Sequence, residues 1–169
     1  MGAYIIAAVL AGVLLGLGFG LWRAERAFLT FRGMRVLACP ESRQPAAVEL
    51  TAWRASLTGI FGRPAPRVRE CSRWPERSRC NQVCVQEIRA APAKSLVETI
   101  LSNWTRYNVC VSCGAPLAKM RVGSHQPHLM SREMRIFEWK EIPPQDIPRT
   151  LRDSEPVCET CLVAETHTW

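Results

Sequence analysis

The sequence predicts an α+β protein with a single N-terminal transmembrane helix followed by a small compact domain. Three features of the chain support this fold class. Nineteen uncharged residues lie at 4–22, short strand and helix patterns alternate from residue 34 onwards, and two C-x-x-C pairs lie towards the C-terminal end. With 169 residues, 47% of them hydrophobic and 22% charged, the chain has the size and composition of one domain with an appendage.

Residues 4–22, YIIAAVLAGVLLGLGFGLW, form the predicted transmembrane helix and follow a short tail at 1–3. At 1.5 Å rise per residue, a helix of this length spans roughly 29 Å, which is close to the thickness of the hydrocarbon core of a bilayer. A cleaved signal peptide is disfavoured, because no basic residue precedes the apolar run and no clear A-x-A site follows it. We therefore expect a single-pass membrane protein.

The segment at 23–35 follows the span directly and is basic. Its arginines are Arg23, Arg26, Arg32 and Arg35, whereas no Lys or Arg precedes the span. The positive-inside rule then predicts that the C-terminal domain is cytoplasmic, in a compartment that keeps cysteines reduced. We expect these arginines to lie on the membrane surface, where anionic lipid headgroups attract them.

The net charge of +7 is confined to two stretches of the chain. Residues 23–35 carry four arginines against one glutamate, which leaves +3, and residues 63–79 carry six arginines against two glutamates, which leaves +4. The segments at 36–62 and 80–169 are each neutral overall. A nucleic-acid partner is therefore not expected. The second basic stretch is interpreted as a solvated loop, and contact with lipid, an acidic partner or a phosphate backbone stays open for it.

Glycines recur every four residues in the predicted span, at Gly12, Gly16 and Gly20. This spacing places all three on one face of the helix, where a second helix can approach closely. We expect either a transmembrane protein partner or a second copy of this chain to pack against this glycine face.

The domain at 36–169 is predicted to mix strands and helices. Strand patterns occupy 34–40, 46–50, 67–71 and 134–140, and helix patterns occupy 81–91 and 95–107. The run at 46–50 also suits the opening of a helix that continues through Trp53 and Leu57. In the helix at 95–107, the spacing of Leu96, Ile100 and Trp104 predicts one apolar stripe.

Two C-x-x-C pairs, Cys110 with Cys113 and Cys158 with Cys161, lie on either side of 44 residues. Two residues between a pair of cysteines turn the backbone enough for both sulfurs to reach one Zn²⁺ at ~2.3 Å in a tetrahedron. Gly114, directly after the first pair, provides the left-handed backbone conformation that such a turn often needs. The spacing therefore predicts that the two pairs converge on one metal ion.

CVSCG at 110–114 and CETC at 158–161 resemble the two knuckles of zinc-ribbon modules, with a spacer longer than in the compact versions. The resemblance implies a small metal-stabilised domain that holds one zinc ion. An iron–sulfur cluster accepts the same four thiolates and stays open as an alternative. A c-type haem is disfavoured because neither pair is followed by histidine. Four sulfur ligands leave no coordination position for water, which favours a structural over a catalytic metal.

The other four cysteines are Cys39, Cys71, Cys80 and Cys84, all within 46 residues of a region rich in Arg and Pro. Their clustering predicts a second metal site, so that two ions per chain are an alternative to one. Disulfides, if the topology is inverted, and unpaired thiols also stay open.

No P-loop, nucleophile elbow, dinucleotide fingerprint or H-E-x-x-H motif is present. The sequence therefore indicates a non-enzymatic, membrane-anchored zinc-binding protein, acting as an accessory or adaptor subunit of a membrane assembly. The alternative is a membrane-tethered electron-transfer or metal-handling protein that carries iron–sulfur or transferable metal on its cysteines.

Overall fold

The computed structural model describes residues 1–74, 76, 80–119 and 128–166, the last three of these by their backbone alone. The described part is α+β, as predicted. Its helices are α1 (Gly2–Phe31), α2 (Ala52–Phe61), α3 (Cys84–Ala90), α4 (Val97–Tyr107), α5 (Ile147–Asp153) and α6 (Glu159–Thr166). Its strands are β1 (Met34–Ala38), β2 (Pro45–Leu50), β3 (Val68–Cys71), β4 (His128–Met130), β5 (Ile136–Phe137) and β6 (Glu155–Val157).

The chain divides into two compact units. We call residues 1–33 and 48–92 the helical unit, and residues 34–47 and 93–169 the cysteine unit. Strand β2 contributes its first half to the cysteine unit and its second half to the helical unit. In the cysteine unit this strand follows β1 through a tight turn, in which the Cys39 N–H donates to the Gln44 carbonyl at 2.8 Å.

The helical unit is built on α1, which begins before the predicted span and continues as one helix to Phe31. Gly33, with φ of 91°, lies just beyond the end of this helix, in the left-handed conformation common after helix C-termini. Helix α2 packs against the C-terminal part of α1, where the Ser56 hydroxyl donates to the Ala24 carbonyl at 2.9 Å. The second half of β2 pairs antiparallel with β3.

The cysteine unit contains a second antiparallel sheet, with strand order β5-β4-β6. Its apolar core combines residues from β1, α4, β4 and α5, namely Val36, Val97, Leu101, Leu129, Ile147 and Leu151. On α4 the buried stripe is Val97, Leu101 and Thr105. The predicted stripe at Leu96, Ile100 and Trp104 is therefore displaced by one residue, although the Trp104 indole packs on this core and donates to the Leu151 carbonyl at 3.1 Å.

The predicted strand at 134–140 is much shorter in the structure, where β5 covers Ile136–Phe137 alone. Met134 has a positive φ of 59° and lies in a turn that joins β4 to β5, so extended backbone cannot begin there. A 3-10 helix at Trp139–Glu141 then ends the strand. The predicted helix at 81–91 is also shortened, to Cys84–Ala90, because the φ of Gln82 is 55°.

Candidate metal centre

The two C-x-x-C pairs meet in the structure, as the sequence predicts. The sulfur atoms of Cys110, Cys113, Cys158 and Cys161 all lie within 4.8 Å of one another. The Sγ atoms of Cys113 and Cys158 are 3.7 Å apart. A tetrahedron with Zn–S bonds of ~2.3 Å has S–S edges of about 3.8 Å. The spacing of these two sulfurs therefore fits a single tetrahedral ion.

The first knuckle is a tight turn stabilised by its own backbone. Val109 and Pro116 form an isolated antiparallel bridge, and the Cys110 N–H donates to the Ala115 carbonyl at 2.9 Å. The Gly114 N–H donates a hydrogen bond to the Cys110 carbonyl at 2.8 Å. Gly114 has φ of 71°, which confirms the predicted left-handed glycine. The turn directs both sulfurs of this pair to the same side.

The second knuckle combines a strand end with a helix start. Cys158 follows β6 directly, and α6 begins at Glu159. The Leu162 N–H donates to the Cys158 carbonyl at 3.0 Å, so that Cys158 opens the first helical turn. Residues three apart on a helix share one face, and Cys161 therefore lies on the same side as Cys158.

Direct hydrogen bonds hold the two knuckles together. The Val111 N–H donates to the Pro156 carbonyl at 2.9 Å, and the Cys158 N–H donates to the Cys110 sulfur at 3.3 Å. An N–H that points at a sulfur stabilises the negative charge of a thiolate. The protein thus provides part of the ligand geometry through its own backbone.

The site has a buried side and an exposed side. Cys110 and Cys158 are 1% and 2% exposed, and they form a small apolar cluster with Leu117 and Val157. Cys161 is half-buried and Cys113 is exposed. Ligands that face solvent on one side leave an entry path for an ion.

Thiol acidity differs within the group. Burial disfavours the Cys110 thiolate, but the N–H groups of Cys158, Cys113 and Ser112 outweigh that cost and lower its pKa to about 6. Burial raises the pKa of Cys158. The pKa of Cys161 is also raised, chiefly by the neighbouring sulfurs of Cys158 and Cys113. A cation bound among the four sulfurs would lower these raised pKa values, because its positive charge favours the thiolate forms.

The other four cysteines do not belong to this group. Within the part of the chain that the structure describes, Cys110, Cys113, Cys158 and Cys161 form the one set of at least three His, Cys, Asp or Glu side chains at mutual ligand distance. Cys39 follows β1, Cys71 ends β3, and Cys84 begins α3. The Cys80 sulfur accepts the Gln82 N–H at 3.3 Å. None of the eight cysteines, all of them described, is in a disulfide. The second metal site stays a prediction.

The predicted membrane-surface arginines occupy different environments. Arg35 is 0% exposed, with its guanidinium 3.5 Å from the Ser95 hydroxyl and its pKa lowered by burial. Its predicted place on the lipid surface is therefore wrong, because β1 directs it into the cysteine unit. Arg23 donates to the carbonyls of Gly59 and Gly62 at the end of α2. Arg26 lies over the Trp22 ring at 5.2 Å, and Arg32 is exposed.

The glycines of the predicted span also separate into two groups. A Cβ atom at Gly12 or Gly16 would have no neighbour within 4 Å, so this part of the face is open. A Cβ atom at Gly20 would lie 3.4 Å from the Ile60 side chain of α2. Gly20 is therefore in contact with a helix of the same chain, which the four-residue spacing alone did not indicate.

The sequence did not single out the groups that support the four cysteines. Leu117 is fully buried beside the cluster, and the Val111 N–H links the two knuckles. Val111 is an unspecified position of the first C-x-x-C pair and Leu117 lies outside that pair, so the motif indicates no role for either; each acquires its role from a contact with the distant segment around β6. No family model, curated protein or solved structure matches the chain. Among the residues that the structure describes, the four sulfurs at metal-binding distance are thus the strongest functional indication.

Proposed function

We propose that the protein is a non-enzymatic, membrane-anchored zinc protein in which one ion on Cys110, Cys113, Cys158 and Cys161 stabilises the cysteine unit. The convergence of four sulfurs, two of them at a spacing close to a tetrahedral edge, carries this proposal. Four thiolates satisfy zinc completely and suit a structural site. The ion would cross-link the two knuckles, which are distant in the sequence.

The membrane part of the proposal depends on α1. This helix is long and apolar enough to cross a membrane, and none of its most apolar stretch is buried against the described part of the protein. An apolar surface of this size is stable in hydrocarbon but costly in water. The basic segment after the span supports a cytoplasmic cysteine unit.

An accessory role is suggested by the combination of a membrane helix, α1, with a metal-stabilised cysteine unit. The open face at Gly12 and Gly16 would accept a partner helix or a second copy of this chain. The cysteine unit would then be held beside that partner at the membrane surface. Disulfide crosslinking or energy transfer between differently labelled copies tests self-association.

Metal analysis of the purified full chain in detergent tests the metal assignment. We expect zinc to be bound, with one ion per chain lost in the Cys158→Ser variant. Ser112→Ala is the matched control, because its exposed side chain lies in the same knuckle but provides no ligand. A Cys158→Ser protein with unchanged metal content would contradict the proposal. Cys39→Ser tests the second site separately, since loss of a second ion would show that this set is filled.

A metal-handling or electron-transfer role is the alternative, and the exposure of Cys113 favours it. A ligand that reaches solvent can exchange its ion with another protein. Strong visible absorption of the purified protein would indicate an iron–sulfur cluster, since zinc has no such transitions. A colourless protein whose zinc exchanges slowly with free chelator would support the structural role.

A further inference from the structure

Helix α2 carries an exposed apolar edge that the metal centre does not explain. Trp53, Leu57 and Phe61 follow one another at four-residue spacing and therefore share one side of the helix. They are 59%, 57% and 95% exposed. The opposite side of α2 is buried through Ala52, Ala55 and Gly59. Three large exposed apolar side chains in a row mark an interaction surface.

The packing of α2 on α1 places this edge beside the predicted span. Ser56 contacts Ala24, whereas Ile60 contacts Gly20. Ile60, near the end of α2, thus reaches a residue of the predicted span, whereas Ser56 and Gly59 lie beside the part of α1 that follows it. A Cβ atom at Gly59 would lie 3.0 Å from the Cβ of Ala27, so small residues hold the helices close together. The C-terminal end of α2 therefore lies at the level of a residue inside the span at 4–22.

We propose that α2 is a membrane-interfacial helix, whose edge of Trp53, Leu57 and Phe61 lies in the boundary between lipid headgroups and acyl chains. This inference rests on the membrane anchor in the proposed function. Phe61 would lie deepest and Trp53 nearest to water, which suits an indole that carries a polar N–H. Amphipathic helices at this depth commonly combine apolar side chains with basic residues that attract anionic lipids.

The surroundings of α2 favour lipid over a protein partner. Phe19 and Trp22 stack at 5.8 Å near the end of the span, and Arg26 lies over the Trp22 ring. The sequence from aromatic to basic side chains along α1 is that of a bilayer interface. These same residues and Thr30 help to line a pocket of about 270 Å³ that also reaches Gly59. The part of α1 that packs beside α2 thus already has the composition of a surface suited to lipid.

Acyl-brominated phosphatidylcholine in nanodiscs, which quenches only tryptophans that reach the hydrocarbon, tests this placement on the full chain. Phe61→Trp adds a tryptophan at the predicted deepest position, and Tyr107→Trp adds one at an exposed aromatic position of the cysteine unit. We expect brominated lipid to remove most of the fluorescence that Phe61→Trp adds, and Tyr107→Trp records how strongly an exposed tryptophan of the other unit is quenched in the same nanodiscs. Loss of little or none of the fluorescence that Phe61→Trp adds would overturn the proposal, including the case in which a protein partner covers the edge.

A further variant separates this inference from the membrane anchor itself. The fluorescence lost in Trp22→Phe reports the native tryptophan at the end of the span. If brominated lipid quenches that component but not the one added by Phe61→Trp, α1 is inserted and α2 is not interfacial. If neither component is quenched, the membrane anchor in the proposed function fails as well. Both variants exchange one aromatic side chain for another at exposed positions, so the fold should tolerate them.

Discussion

Replacing Gly114 by alanine isolates the backbone contribution to the metal centre. Gly114 has φ of 71°, and a Cβ atom built there would have no neighbour within 4 Å. Alanine would therefore meet no steric clash with other residues and would keep the N–H that bonds to the Cys110 carbonyl. The remaining cost is that of a left-handed backbone, about 1–2 kcal/mol for an L residue.

This cost should appear as weaker zinc binding. When a metal orders its own ligands, the free energy of binding includes that of folding the site. A penalty of about 1–2 kcal/mol corresponds to a factor of about 5–30 in the equilibrium constant. Competition between the full-length protein and a chromophoric zinc chelator at fixed neutral pH measures the dissociation constant directly. We expect it to rise by this factor in Gly114→Ala.

Two controls make the result decisive. Asparagine tolerates the left-handed region better than alanine, so Gly114→Asn should bind zinc more tightly than Gly114→Ala. Gly12→Ala changes a glycine whose surroundings are equally open but which lies in α1, and it should leave the affinity unchanged. If Gly114→Ala binds zinc as tightly as the unaltered protein, the knuckle does not depend on this backbone conformation and the reasoning is refuted.

Four more outcomes can be measured. Acidification should weaken zinc binding by about tenfold per pH unit for each proton that the ion displaces. Because its pKa is raised, the Cys158 thiol must lose a proton when zinc binds at neutral pH. Below the Cys110 pKa of about 6 a second proton must be displaced, so the affinity should fall more steeply with pH there. Calorimetry in buffers of different ionisation enthalpy counts these protons, and zinc binding without proton release would contradict this view. Leu117→Ala should lower the free energy of unfolding by about 2–5 kcal/mol, since this fully buried side chain fills the cluster beside the sulfurs; a stability change below about 1 kcal/mol in chemical denaturation would show that the site collapses around the cavity. Gly16→Leu should reduce helix association measured by energy transfer in lipid, because a leucine on this open face would keep a second helix from approaching closely. Unchanged transfer would exclude that face as the contact. Gly20→Leu should instead speed hydrogen exchange in α2, since its added side chain would displace the neighbouring helix, and unchanged exchange would argue against this packing.

Much of the candidate metal centre was predictable because it depends on neighbours in the chain. Two residues between cysteines limit where both sulfurs can point, and the glycine after the first pair permits the turn that the structure shows at Gly114. The apolar run that begins at Tyr4 likewise predicts a long helix from its own composition. Strands of two or three residues, such as β5 and β6, were predicted poorly or not at all because they are too short to display an alternating pattern.

By itself, then, the sequence determined the apolar helix, the α+β class and the two cysteine turns, since each arises from interactions within a few residues. Tertiary structure decided which distant groups meet. The Cys158 N–H reaches the Cys110 sulfur, Arg35 is buried, and Gly20 contacts Ile60. These outcomes depend on how whole elements pack, and packing joins residues whose separation along the chain follows no period. A basic residue after the apolar run, or a glycine within that run, therefore has a local propensity in the sequence and acquires its neighbour only when the chain folds.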